Sequence, residues 1–89
     1  MVFFNFPKLY IESVKDYIKI MAKSDCHLIK RSLKSFEGML DDRFLRTHRS
    51  YIVNCNRITA YTKNDIEIGS IEIPIGDSYE LATMTFLSV

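Results

Sequence analysis

Residues 44–54 read FLRTHRSYIVN, in which two apolar runs flank a polar and basic connection. The runs, residues 44–46 and 50–54, are rich in the aromatic and β-branched residues that strands favour. Two strands joined in this way would hold the connection Thr47-His48-Arg49 at a fixed place on the surface. The stretch therefore predicts a β scaffold that presents a short basic loop.

The connection carries side chains that suit nucleic acid. Arg46, His48 and Arg49 lie close together within it. An Arg side chain can form two hydrogen bonds with O6 and N7 of guanine, and His, Ser and Asn offer hydrogen bonds to bases or phosphates. Such a loop on a rigid sheet could enter a major groove. A polar turn with solvated arginines, or a surface that binds another protein, is the alternative.

Strand patterns recur on both sides of this stretch. We predict strands at residues 9–13 (LYIES), 17–22 (YIKIMA), 27–31 (HLIKR) and 58–62 (ITAYT), the first two forming a hairpin. Tyr51 and Val53 alternate with Ile52, and we expect one of these two sets to face the core.

The clearest hairpin is IEIGSIEI at residues 66–73. Gly69 is the first residue of a two-residue loop, as a type II′ turn requires. In this register the isoleucines share one face, and Glu67 lies opposite Glu72. Like charges placed opposite each other are mildly destabilising, so that face should be solvated or meet a cation.

One helix is predicted over residues 32–40 (SLKSFEGML), with Ser32 as N-cap. Its apolar residues recur at helical spacing and form one stripe, namely Leu33, Phe36, Met39 and Leu40. Gly38 weakens it, so the helix should be short. The tail, residues 81–89 (LATMTFLSV), shows no clear period and receives no assignment.

Length and composition indicate one globular domain over residues 1–89, because the chain is 47% hydrophobic and 26% charged. Charge is segregated along it. Residues 26–63 contain eight Lys or Arg and three acidic residues, giving +5, whereas residues 64–89 contain five acidic residues and no Lys or Arg, giving −5. If the basic block gathers on one surface, it would attract a polyanion; otherwise it is ordinary solvated surface.

The sequence argues against catalysis and against cofactor or metal binding. It contains no nucleophile elbow, no glycine-rich phosphate loop and no His or Cys pair at ligand spacing. Cys26 and Cys55 are too few for a disulfide scaffold, which favours the reducing cytoplasm. No signal peptide or membrane span is expected.

Four segments in order carry a family resemblance, and they span residues 9–79. They are LYIESVKDYIKI, HLIKRSLKSFEGML, DDRFLRTHRSYIVN and ITAYTKNDIEIGSIEIPIGDSY. The series resembles the LytTR (LytR/AlgR-type) DNA-binding domains of bacterial response regulators, and FLRTHRSYIVN is its most specific part. The resemblance implies a mainly β fold of elongated antiparallel sheets with one short α-helix, in which loops reach the DNA.

The resemblance also implies which residues touch double-stranded DNA. Three base-contacting regions are expected: Lys15, Asp16 and Tyr17; His48, Arg49 and Ser50; and Asp77 with Ser78. Phosphate contacts are expected at the start of the helix, from Arg31, Ser32 and Lys34, where free N–H groups favour an anion. The basic block at residues 26–63 contains two of these regions.

The family implies a receiver domain in the same chain, phosphorylated by a histidine kinase, if this domain is the effector fragment of a longer regulator; a freestanding family member is the alternative. It also implies DNA sites that are paired repeats, with a possible dimer on DNA. Three features depart from it. Residues 1–8 leave little room for the usual additional N-terminal strand, Asp77 stands where Arg or Lys is usual, and the tail is uncharged. The alternative is therefore a degenerate LytTR-like domain that acts as a protein-interaction module; an RNA-binding β module comes third.

Overall fold

The computed structural model describes residues 8–88, which form eight strands, two helices and two short 3-10 turns. The strands are β1 Lys8–Val14, β2 Tyr17–Ala22, β3 Cys26–Ile29, β4 Phe44–His48, β5 Tyr51–Asn54, β6 Ala60–Tyr61, β7 Asp65–Ile68 and β8 Ile71–Pro74. The helices are α1 Leu33–Glu37 and α2 Glu80–Leu87, and the 3-10 turns are Cys55–Arg57 and Asp77–Tyr79. A possible N-terminal strand falls mainly within residues 1–7, outside the described residues.

The strands build two antiparallel sheets, and this confirms the mainly β, antiparallel fold that the family resemblance implied. The five-stranded sheet has the order β3-β2-β1-β5-β4, and the three-stranded sheet has the order β6-β7-β8. In the β7–β8 hairpin, Glu67 pairs with Glu72 and Gly69 has φ +63°, which confirms the predicted register and turn. Residues 58–62 were predicted as a longer strand, but only Ala60–Tyr61 pairs with β7.

Both faces of β5 are buried, which corrects the expectation that only one would be. Ile52 and Val53 are each 0% exposed. Ile52 belongs to a core with Ile11 and Phe36, between the five-stranded sheet and α1. Val53 belongs to a second core with residues of the three-stranded sheet, such as Ile66. The central strand is therefore fixed from both sides.

The predicted helix is confirmed, but it is shorter than residues 32–40. Ser32 is its N-cap, and its hydroxyl oxygen accepts a hydrogen bond from the Ser35 N–H over 3.1 Å. The helix ends at Glu37 with Gly38 as its C-cap, so Met39 lies beyond the helix and is 39% exposed.

The tail forms α2, which the sequence could not reveal because apolar residues lie all around this helix. Thr83 faces the interior, while Leu81 is 81% exposed and Phe86 is 46% exposed. The fold measures 32 × 23 × 21 Å. Neither α1 nor α2, the helices of the described chain, has the length and apolarity needed to cross a membrane.

Candidate nucleic-acid interface

The strand register brings three connections to one end of the five-stranded sheet. Val14 pairs with Tyr17 where β1 turns into β2, and Ile18 pairs with Ile29 at the end of β3. Tyr51, at the start of β5, pairs with β1 and with the end of β4. We call this side the turn end; it comprises residues 15–16, 30–32 and 49–50. The segments predicted from different parts of the sequence thus lie side by side.

The β1–β2 connection is exposed. Lys15 has φ +56°, a left-handed conformation uncommon for a residue with a side chain. Lys15, Asp16 and Tyr17 all face solvent, and Tyr17 is 41% exposed. A cation, an acid and an aromatic ring are therefore presented together at the tip of the hairpin.

The β4–β5 connection is more ordered. The Ser50 N–H donates a hydrogen bond to Nδ1 of His48 over 3.0 Å. Because Nδ1 accepts, the neutral ring carries its proton on Nε2, which can donate to a ligand. The exposed Arg49 guanidinium forms no ion pair or side-chain hydrogen bond with any described residue. It is available for an outside partner.

Two contacts tie this connection to β1. The Ser13 N–H donates to the Ser50 carbonyl oxygen over 2.8 Å. The Tyr51 hydroxyl donates to a carboxylate oxygen of Glu12 over 3.2 Å, and burial, together with that carboxylate, raises the pKa of Tyr51. The first two predicted regions are therefore held as one unit.

The third predicted region lies against the second. The Gly76 N–H donates to the Thr47 carbonyl oxygen over 2.9 Å. An open depression of about 440 Å³ lies between the two, lined by His48, Arg49, Gly76, Asp77, Ser78 and Tyr79. Asp77 and Ser78 are exposed at its edge.

The start of α1 directly follows the turn end. Ser32 uses its hydroxyl as the helix cap, so the Ser35 N–H is already bonded. Arg31 donates from Nη1 to Sδ of Met39 over 2.6 Å, whereas the exposed Lys34 ammonium contacts no described partner. α1 has only five residues, and Arg31 and Lys34 add two positive charges at its start.

The contact sets expected from the sequence did not include Lys30. Lys30 is exposed directly after β3, and the basic block already contained it. Exposed cations outnumber exposed acids at the turn end and its edge: Lys15, Lys30, Arg31 and Arg49 against Asp16 and Asp77. Arg46 was grouped with His48 and Arg49 by its chemistry, but its guanidinium is bonded within the fold, and no sequence signal separates a bonded arginine from a free one. Across residues 8–88, no group of three His, Cys, Asp or Glu side chains could hold a metal ion.

Comparison with known proteins agrees with the geometry. Residues 5–82 match the family model LytTR, the LytTr DNA-binding domain. Curated proteins give no match. Among solved structures, the chain is similar to the LytTr DNA-binding domain of a protein described as a methyl-accepting/DNA response regulator from Bacillus cereus. That similarity has a TM-score of 0.82 and 28% identity, and it covers 93% of this chain and 83% of the other. As the resemblance over residues 9–79 predicted, the chain belongs to the LytTR family of DNA-binding domains.

Proposed function

We propose that this domain recognises a specific double-stranded DNA sequence through its turn end, as the effector domain of a bacterial transcriptional response regulator. The observation that carries the proposal is the convergence of the predicted contact segments, which are scattered from Lys15 to Ser78 in sequence, on one side of the sheet. Electrostatic attraction to DNA of any sequence would not require loops that hydrogen bonds hold in fixed positions.

We assign base contact to the β4–β5 connection. Arg49 has a free guanidinium that can bind O6 and N7 of guanine, and His48 offers an Nε2 donor to a base acceptor. Ser50 lies beside them, half-buried, and its backbone is bonded to β1. The connection between two strands is narrow enough for the major groove, which is about 12 Å wide.

The flanking segments would hold the backbone and neighbouring bases. Arg31, Ser32 and Lys34 would contact phosphates on one side of this connection. Lys15, Asp16 and Tyr17 approach the duplex from the β1–β2 hairpin, and Asp77 with Ser78 from the edge of the depression. Because exposed cations would lie close to phosphates, the affinity for DNA should fall as the salt concentration rises.

The wider assembly follows from the proposed role. Residues 1–89 would act as one DNA-binding domain without catalytic activity or cofactor, joined in the native regulator to a receiver domain. It would work in the cytoplasm, where bacterial DNA lies, and two copies would occupy paired repeats as a dimer on DNA. The similarity to a response-regulator domain supports this setting.

Selection from a random duplex library tests the proposal. We expect one short motif to be enriched, present as two copies at fixed spacing. Enrichment of no motif, with equal affinity for all duplexes, would contradict sequence-specific recognition.

A protein-interaction module is the second candidate, and two observations favour it. Asp77 puts a negative charge where the domain would face phosphate. Leu81 and Phe86 expose apolar surface on α2. This candidate predicts that selection from the random duplex library enriches no motif. It also predicts that Leu81→Lys abolishes binding to a protein partner while leaving the fold unchanged.

A further inference from the structure

Arg46 forms an unusual set of contacts beneath the β4–β5 connection. Its Nε donates to the His48 carbonyl oxygen over 2.9 Å, and its Nη2 donates to the Arg49 carbonyl oxygen over 2.7 Å. Its Nη1 forms an ion pair with Oε1 of Glu37 over 3.0 Å. The guanidinium also lies 6.0 Å from the centre of the Tyr79 ring. Only 20% of the side chain is exposed.

We infer that Arg46 is a positioning residue, which sets the shape of the DNA-reading connection without itself binding DNA. The inference rests on the proposed function. One edge of the planar guanidinium, formed by Nε and Nη2, binds two successive carbonyls of the connection, and this fixes the orientation of the peptide planes on either side of Arg49. Arg46 therefore fixes the backbone conformation from which the Arg49 side chain projects.

The same guanidinium links the separate parts of the interface. Glu37 lies at the end of α1, so the ion pair joins the connection to the helix that carries Lys34. Tyr79 follows Asp77 and Ser78, so the ring beside the guanidinium joins the connection to the third region. One side chain therefore joins the β4–β5 connection to both α1 and the third region.

Charge placement supports the same role. Two carbonyl oxygens turned towards a duplex would repel its phosphates, whereas here both are bonded to a cation on the protein side. A lysine could not replace this arrangement, because an ammonium lacks the planar fork that binds two fixed acceptors at once.

The competing role is direct phosphate contact, and salt dependence separates the two. Removing a phosphate contact weakens binding on all duplexes and flattens the salt slope by about one ion. Removing a positioning residue weakens binding mainly on the preferred duplex and leaves the slope unchanged.

The experiment compares Arg46→Gln and Arg46→Lys with Arg57→Gln. Arg57 is exposed in the 3-10 turn after β5, at the opposite end of the sheet, so its loss controls for the removed charge. Affinities for the selected duplex and for a random duplex are measured across a salt series. We expect the preference of both Arg46 variants for the selected duplex to fall by about tenfold or more. The salt dependence of their binding should stay unchanged. Equal losses on both duplexes with a flatter slope would overturn the inference.

A second measurement does not need DNA, and it separates this inference from the proposed function. In the free wild-type protein, the Arg46 Nε–H should exchange with water at least about tenfold more slowly than that of Arg57, because it is bonded and half-buried. In Arg46→Lys, exchange at the Ser50 backbone N–H should speed up while exchange at Ile20 stays unchanged. Equal exchange at the two arginines, or an unaffected Ser50, would overturn the positioning role even if the library selection succeeds.

Discussion

The backbone N–H of Gly76 donates a hydrogen bond to the carbonyl oxygen of Thr47 over 2.9 Å, and this contact joins the second and third predicted regions of the interface. It is possible because β4 contains a bulge. Arg46 pairs with Ile52 and His48 pairs with Tyr51, which leaves Thr47 without a partner in β5. Its carbonyl is thereby free to hold the segment that leads to Asp77.

Replacing Gly76 by Ala should disturb this junction. The added Cβ would lie 3.1 Å from Cδ2 of Tyr79 and 3.4 Å from Cδ2 of His48. We expect a loss of about 1 kcal/mol in the free energy of unfolding and weaker binding to the selected duplex, because the Tyr79 ring, which lines the depression beside Arg46, must move. Gly38→Ala is the matched control: the nearest atom to its Cβ is 3.9 Å away, and helix propensity should make it neutral or stabilising. Urea unfolding of both variants measures whether the free energy of unfolding falls in Gly76→Ala and not in Gly38→Ala. Equal changes in the two variants would contradict the prediction.

Truncation on either side of β5 should destabilise the fold. Ile52 and Val53 are neighbours in sequence but contribute to separate cores. We expect Ile52→Ala to cost about 2–4 kcal/mol and Val53→Ala about 1–3 kcal/mol, measured by urea unfolding. Leu28→Ala, at a side chain 59% exposed, should change stability by less than about 0.5 kcal/mol. A large loss at only one of the two buried positions would indicate a single core.

Local patterns predicted most of these elements. The alternation in residues 66–73 gave the β7–β8 register, and Ser32 marked the start of α1, because turns and caps depend on nearby residues. The double burial of β5 could not be predicted, since it depends on α1 and the second sheet packing from opposite sides. α2 was missed because its apolar residues do not favour one face.

The sequence predicted which segments form the candidate site, but it did not predict how they are arranged in space. The residues around Arg49 were identified by their chemistry and by the family resemblance. The Thr47 bulge was not, because nothing in the sequence shows which residue of β4 lacks a partner. The bonded state of Arg46 depends on Glu37, nine residues earlier, and on two carbonyls that only the folded turn brings together.

Asp77→Arg should strengthen DNA binding. The exposed side chain of Asp77 stands at the edge of the proposed interface, where a negative charge would repel phosphate. We expect roughly fivefold tighter binding on all duplexes and a salt slope steeper by about one ion. If Asp77 accepts a hydrogen bond from cytosine N4, the preferred sequence will also change at one position.

The control for this variant is Asp25→Arg, which makes the same charge change in the β2–β3 turn at the opposite end of the sheet. It should alter affinity much less. Equal effects of the two variants would show that only net charge matters, and no effect of Asp77→Arg would place this region away from DNA.

The two thiols should differ in reactivity. Cys26 is exposed, whereas Cys55 is half-buried, and burial raises the pKa of the Cys55 thiol. At pH 8 a raised pKa leaves less reactive thiolate, so a disulfide reagent should modify Cys26 about tenfold faster than Cys55. Cys26→Ser should remove the fast phase, and unfolding in urea should accelerate the reaction of Cys55. Equal rates in the folded protein would contradict the burial of Cys55.

The central claim is that the β4–β5 connection reads DNA bases while the segment around α1 holds phosphate. The most direct test measures Arg49→Ala and Lys34→Ala on the selected duplex and on a random duplex over a salt series. We expect Arg49→Ala to cost about 1–3 kcal/mol on the selected duplex and little on the random one. Lys34→Ala should weaken both and flatten the salt slope by about one ion. Equal losses on both duplexes for Arg49→Ala would contradict the claim.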